Sequence, residues 1–393
     1  MITAYGSPSL NPLFVQDSEK RQARLAEAKS LPSIVVSSMA AAHIVMLGGG
    51  FYNPLTGFMN LADAWEVARY MLTSSGLFWP IPILNQIEDP RSIRGVNRIA
   101  LRDPNVPGNP IIAIQDVEAI EEMDAKKMPG IVREVYRTDD TDHPGVWAFT
   151  HAGSYIVSGP IQVLNFSYFA AENPDMFRTA WQIREDIQDR GWNTVVCYQT
   201  SRPMLRAHEE LCHMAMDETR ANGLLIHVLL NKPRTGDVPA DVRDRALRAM
   251  VSEYFQSKTA ILAGWGYDPF YAGPRETVLQ AIFRQNCGCT HMIVGRDHAG
   301  VGDYYAAFDA HTIFEDEVPD GVLQIKIFKA DQVIWSKKHN RVMMMRDAPD
   351  HTPREWWFLS ENQIRVMLAG QDPVPEEIVR PEVAKILRDH YQS

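Results

Sequence analysis

Four times between residues 177 and 294 the chain passes from a helical spacing of apolar residues to a short β-branched run. Helical spacing over 177–190 leads to a strand at 194–198, and a helix opening at Arg206 and stopping at Gly223 leads to a strand at 224–230. Val242, Ala246, Leu247, Met250, Val251 and Tyr254 mark a third helical face before a strand at 259–263. A helix at 274–285 opens after Gly273 and precedes a strand at His291–Val294. Such alternation predicts a parallel sheet with helices on both faces. Ligands of such sheets sit beyond the carboxyl ends of the strands.

Polar clusters fall at those ends. Gln199, Thr200, Ser201 and Arg202 follow the first strand, Asn231-Lys232-Pro233-Arg234 the second, and Gly295-Arg296-Asp297-His298-Ala299-Gly300 the fourth. The segment from Val195 to Glu210 reads as strand, polar turn with Pro203, then a helix whose first turn holds Arg206 and His208. That arrangement aims free N–H groups and a positive helix end at the sheet edge, which suits phosphate or sulfate. Glycine and small residues around Arg296 suit close approach of backbone to an anion.

The part before residue 165 is β-rich and punctuated. Turn clusters stand at Tyr52-Asn53-Pro54-Leu55-Thr56-Gly57 and from Arg102 to Asn109, with strands at 111–114 and 157–164. Trp79-Pro80-Ile81-Pro82-Ile83 reads as an edge or irregular strand. The most apolar window, 34–51, contains His43, two serines and three glycines, so it reads as buried core and not a membrane span.

With 393 residues the chain exceeds one ordinary core, and its net charge of −10 argues against nonspecific binding to nucleic acid or anionic membrane. An anion site must therefore be a local positive pocket. No basic-then-apolar leader opens the chain, so a cytoplasmic location is expected. Cys287 and Cys289 form the one close pair of four cysteines without a second pair at zinc spacing, so the thiols read as small buried side chains.

Two motifs carry a resemblance. Gln199-Thr200, Pro203 and Arg206-Ala207-His208-Glu209, together with Gly295-Arg296-Asp297-His298-Ala299-Gly300-Val301-Gly302, resemble the signatures of the sulfate adenylyltransferases, or ATP sulfurylases. Asn53-Pro54-Leu55-Thr56-Gly57-Phe58, Tyr271-Ala272-Gly273-Pro274-Arg275-Glu276 and Pro381-Glu382-Val383 extend it over nearly the whole chain. The resemblance implies an α/β protein with an N-terminal mainly β, PUA-like domain at 1–165. A Rossmann-like parallel α/β catalytic domain would follow at 166–328, and a small C-terminal α+β domain at 329–393. The chain resembles the short form without an appended kinase domain, and short members imply a homodimer. The implied reaction joins ATP and sulfate to give adenosine 5′-phosphosulfate and pyrophosphate, with Mg2+ carried by ATP or pyrophosphate and no protein-bound metal.

By resemblance, Gln199, Arg202 and the Ala299 N–H hold sulfate. Gln199, Thr200, His208, Gly295, Arg296, Asp297, His298 and Met345 face ATP, and Thr200, Arg202, His208 and Arg296 carry the catalysis. The family's first signature, Gln-x-Arg-Asn-Pro-x-His-x-x-His, is altered: Ser201 stands at the arginine, Arg202 at the asparagine and Leu205 at the first histidine. The family's Ser-Gly-Thr-x-x-Arg is here Ser360-Glu361-Asn362-Gln363-Ile364-Arg365. Arg202 is the candidate replacement for the lost arginine, and Arg206 or a lysine for the lost histidine. Plainer readings make His208 a surface or capping residue, Arg296-Asp297 a structural ion pair, Arg202 a solvated turn residue and Met343-Met344-Met345 core packing. Sulfate needs no general base, so positioning and charge stabilisation suffice. The alternatives are a nucleotidyltransferase for another acceptor, or a catalytically impaired nucleotide-binding relative.

Overall fold

The computed structural model describes residues 1–124, 126–231, 236–370 and 372–392. Its first part contains α1 (Ser18–Ala28), β1 (Ser33–Val35), α2 (Ser38–Gly48), β2 (Gly57–Phe58), α3 (Leu61–Tyr70), β3 (Gln86–Ile87), β4 (Arg98–Arg102), β5 (Ile111–Asp116), β6 (Ala119–Glu122), α4 (Lys127–Tyr136), α5 (Pro144–His151) and β7 (Tyr155–Val163). The strands form one sheet in the order β1-β4-β5-β7-β2, with β3 and β6 also paired to β7. The apolar window at 34–51 becomes β1 and the buried helix α2. Residues 79–83 are buried but form no strand: Pro80 and Pro82 lack the N–H groups that a ladder requires.

The middle part runs α6 (Ser167–Glu172), α7 (Ala180–Asp189), β8 (Val195–Thr200), α8 (Arg206–Thr219), β9 (Gly223–Leu229), α9 (Ala240–Tyr254), β10 (Ala260–Trp265), α10 (Pro274–Asn286), β11 (His291–Val294), α11 (Asp309–Asp316) and β12 (Lys326–Lys329). Its sheet has the order β10-β9-β8-β11-β12, and every pairing in it is parallel. The expected stop of α8 at Gly223 is corrected. Arg220, with φ of 52°, closes the helix in the left-handed region, and Gly223 opens β9. A β-carbon at Gly223 would lie 2.2 Å from the Trp192 ring, so packing requires this glycine. Lys232, Pro233 and Arg234 lie outside the described residues.

The last part holds β13 (Val333–Ser336), β14 (Arg341–Met344), β15 (Trp356–Trp357), α12 (Glu361–Ala369) and α13 (Pro381–Tyr391), with a sheet ordered β14-β13-β15. α13 lies along α9, and Arg380 just before it donates to Glu209 of α8 at 2.6 and 2.7 Å. Every residue of α10 is buried, because the helix is wedged between the first and middle parts. Arg275 donates to the Val67 and Ala68 carbonyls near the end of α3, and the Asn286 amide to those of Phe51 and Asn53. No helix among the described residues is long and apolar enough to cross a membrane.

Candidate active site

The strand order reverses between β8 and β11. The first strand of the middle sheet in chain order has the second on one side and the fourth on the other. Registered pairs between β8 and β11 end at Cys197 and Met292, whereas β8 stays paired with β9 through Thr200. At such a reversal the loops from neighbouring strands depart to opposite faces and leave a crevice at the carboxyl edge. Gln199 and Thr200 end β8, and Gly295 and Arg296 follow β11. Gln199, His208 and Arg296 therefore share one edge of one sheet.

The first loop is held by its own short side chains. Thr200 Oγ1 donates to the Arg202 carbonyl at 2.8 Å and accepts the Arg202 N–H at 3.1 Å. Leu205, three residues before His208, lies outside the helix. It is the N-cap of α8, and its N–H donates to His208 Nδ1 at 3.1 Å. His208 thus satisfies an orphan donor of the helix start, the half of a capping box that usually falls to Glu or Gln. Burial pushes this imidazole down to about 4, with the Glu361 charge opposing weakly, so it is neutral at pH 7. With Nδ1 accepting, the ring proton belongs on Nε2.

Arg202 and His208 line a cavity of ≈ 500 Å³ closed on its far side by Glu361, Asn362 and Arg365 of α12. The Arg202 guanidinium is exposed and paired to Glu361. Two departures from the family pattern thus meet across this cavity. Arg206 does not stand in for the lost histidine: its guanidinium lies 4.7 Å from the Trp335 ring centroid and donates to the Glu376 carbonyl at 3.3 Å. Attraction to the C-terminal part has turned it from the crevice.

The second loop bends through Asp297 and Ala299, both non-glycine residues in the left-handed region with φ of 57° and 56°. Such strain persists only where surrounding structure over-determines it. The Asp297 N–H donates to the Ala307 carbonyl at 2.8 Å, and the Ala299 carbonyl accepts from Gly273 at 3.1 Å. Arg296 donates to the Asp297 carboxylate at 3.2 Å, so the plainer ion-pair reading of these two is realised, with both side chains exposed. Asp297, His298, Gly300 and Gly302 line a second cavity of ≈ 290 Å³, where Pro274 brings the positive end of α10. His298 Nε2 lies 2.9 Å from Gln280 Oε1, and burial with the nearby Arg284 charge pushes it down to about 3.

Met345 opens a turn just beyond β14, and its N–H donates to the Gln332 carbonyl at 2.9 Å. Ala330, at the end of β12, donates to the Val294 carbonyl at 2.8 Å, which sets this turn beside the strand that carries Gly295. Met345 is half-exposed there, whereas Met343 and Met344 are core.

One residue at this edge was not anticipated. Arg284 of α10 is fully buried and donates to Gln199 Oε1. Its sequence signal was the spacing of Glu276, Gln280 and Arg284, four apart on one face of a helix that also carries Arg275, Thr277, Gln285 and Asn286.

Residues 174–390 match the family model described as ATP-sulfurylase, and residues 2–166 that of a PUA-like domain. The sulfate adenylyltransferase of Alcanivorax borkumensis is 55% identical over 393 residues, covering 100% of this chain and 98% of the relative. That of Allochromatium vinosum is 54% identical, covering 100% and 99%. Among solved structures, a hexameric APS kinase from Thiobacillus denitrificans aligns with a TM-score of 0.73 at 23% identity, over 99% of this chain and 68% of that one. At that identity the likeness is one of fold. With a family match over more than half its length and full-length relatives sharing more than half their residues, this chain belongs to the ATP-sulfurylase family and is a nucleotidyltransferase.

Proposed function

We propose that the chain is a sulfate adenylyltransferase that transfers the adenylyl group of ATP to sulfate, reversibly, at the crevice between β8 and β11. The observation that carries this reading is that both signature loops leave adjacent parallel strands where the sheet order reverses. A sulfate oxygen attacks the α-phosphorus, the bond from that phosphorus to the bridging oxygen breaks, and pyrophosphate leaves. Sulfate is already a dianion, so no side chain has to remove a proton.

In this reading the Gln199 amide and the Ala299 N–H hold sulfate, and Arg202 swings to it from Glu361. The His208 Nε2–H and Arg296 face phosphate oxygens, Thr200 stiffens the turn, and Gly295, Asp297, His298 and Met345 border the nucleotide. Magnesium arrives on the triphosphate as part of the substrate. Cations, amide donors and a positive helix end complement the charge that shifts towards the departing pyrophosphate.

A second reading, transfer to another acceptor, draws on the tie between Arg202 and Glu361 and on the altered Ser201 and Leu205. Purified protein with MgATP should release pyrophosphate in proportion to added sulfate, and with adenosine phosphosulfate and pyrophosphate should form ATP. Pyrophosphate release that needs a different acceptor favours the second reading. Absence of both reactions with nucleotide still bound marks a catalytically impaired relative.

A further inference from the structure

Arg284 is 0% exposed and its guanidinium lies 4.3 Å from the Trp265 ring centroid. Nη2 donates to Gln199 Oε1 and Nη1 to the Gln280 carbonyl at 3.2 Å, both neutral acceptors. Nε has no partner among the described residues. The guanidinium also abuts the buried Cys197 thiol and favours its ionised form, but among the described residues it has no carboxylate partner. A desolvated cation without a carboxylate is costly, and an anion nearby would offset that cost.

The bond to Gln199 also decides which way the amide faces. With its oxygen occupied by a guanidinium, Gln199 presents its NH₂ group away from α10, towards the crevice. One turn earlier, Gln280 holds His298 at 2.9 Å. Two turns earlier, Glu276 accepts from Tyr267 at 2.7 Å and from the Ala272 N–H at 3.1 Å. One buried helix face therefore orients a residue from each signature loop.

We propose that Arg284 is a positioning residue for the acceptor: it fixes the donor face of Gln199 and supplies a buried positive charge that the incoming oxyanion balances. The inference rests on the reading of Gln199 as a sulfate ligand. A merely structural arginine would affect stability and both substrates alike. A positioning residue affects the acceptor selectively.

The test measures initial rates of pyrophosphate release with sulfate and MgATP varied separately, for wild type, Arg284→Gln, Arg284→Lys and Gln199→Glu. Arg284→Gln should raise the KM for sulfate roughly 10- to 100-fold, as expected for loss of a charged hydrogen-bonding group, and shift that for MgATP less than about twofold. Arg284→Lys, which keeps the charge and loses the fork, should fall between the two. Gln199→Glu places a carboxylate against Arg284 and should raise the KM for sulfate well beyond any rise in that for MgATP, with the thermal midpoint retained. Equal rises in both KM values, or an unmoved sulfate KM in a folded Arg284→Gln, overturn the proposal. If Arg284→Gln does not fold, Gln199→Glu decides, and wild-type affinity for sulfate in that variant overturns it. No sulfate-dependent release by wild type would sink the activity assignment itself, whereas normal wild-type release with unmoved variants sinks only the role of Arg284.

Discussion

Arg202 and His208 show how one cavity can carry two kinds of side chain. The Arg202–Glu361 pair is solvent-exposed, and such pairs contribute about 0–1 kcal/mol, so a dianion can compete for the guanidinium. Glu361→Gln should therefore lower the KM for sulfate by roughly two- to fivefold, and Arg202→Ala should raise it without moving that for MgATP. Steady-state kinetics with each substrate varied would check both, and an unchanged sulfate KM in Glu361→Gln would mean that the pair does not compete with substrate. His208 is constrained in a different way. Its Nδ1 is committed to the Leu205 N–H, so it both caps α8 and presents a neutral donor. The capping reading of His208 is the one its contacts show, and the proposed role in phosphate binding would use the other ring nitrogen. Leu205 could not be placed from spacing alone, because an N-cap and a first-turn residue differ in backbone torsion and not in residue pattern.

Among the elements, α8 is the one that ties the crevice to the C-terminal part. Glu209 is buried and, among the described residues, its one close counter-charge is Arg380, a two-pronged pair with side chains 3% and 14% exposed. Arg380→Leu leaves that carboxylate buried without its partner, a loss of about 3–5 kcal/mol for such pairs. Thermal unfolding should register it, and hydrogen exchange should show α13 and the start of α8 opening together. Unchanged protection in α13 would mean that its apolar contact with α9 is sufficient. The helix α10 taught a different lesson. Its span was legible from Pro274 and the apolar run, but its burial on all sides was not, since periodicity reports one face and α10 has none to spare. For the same reason Arg284 reads as a surface residue until the first and middle parts are packed around it.

For the molecule as a whole, burial controls the response to acid. His43 and His298 are pushed down to about 3, His208 to about 4 and His227 well below its ordinary value, each chiefly by desolvation. In the unfolded chain these imidazoles protonate near 6.5, so between pH 6.5 and about 4.5 the unfolded state binds the extra protons and stability falls as pH falls. Glu276 acts in the opposite sense. Burial raises it to about 7, so the folded state holds a proton there that the unfolded state loses above about 4.5, and its contribution is lost as pH rises through 7. Each group is worth up to about 1.4 kcal/mol per pH unit inside its window, and the imidazoles outnumber the carboxyl. The thermal midpoint should be near its plateau at neutral pH and drop below pH 6.5, and Glu276→Gln should steepen the drop. A wild-type midpoint flat from pH 7 to 5 would show that these histidines are not buried in solution.

The alternation of β8, β9, β10 and β11 with their helices was readable because apolar spacing is a local property, set by the 3.6- and 2-residue repeats of the backbone. The crevice residues at the strand ends followed from the same spacing, and Gln199, Thr200, Gly295 and Arg296 do stand at one sheet edge. Which strands become neighbours is a nonlocal matter. That β11 lies beside β8 and not β10, that Glu361 reaches Arg202 from 159 residues away, and that Arg284 meets Gln199 across 85 residues depend on packing whole elements together. Local repeats carry no record of such contacts, because the burial that makes an arginine on α10 or a second-loop histidine consequential exists only after distant segments have excluded water from around it.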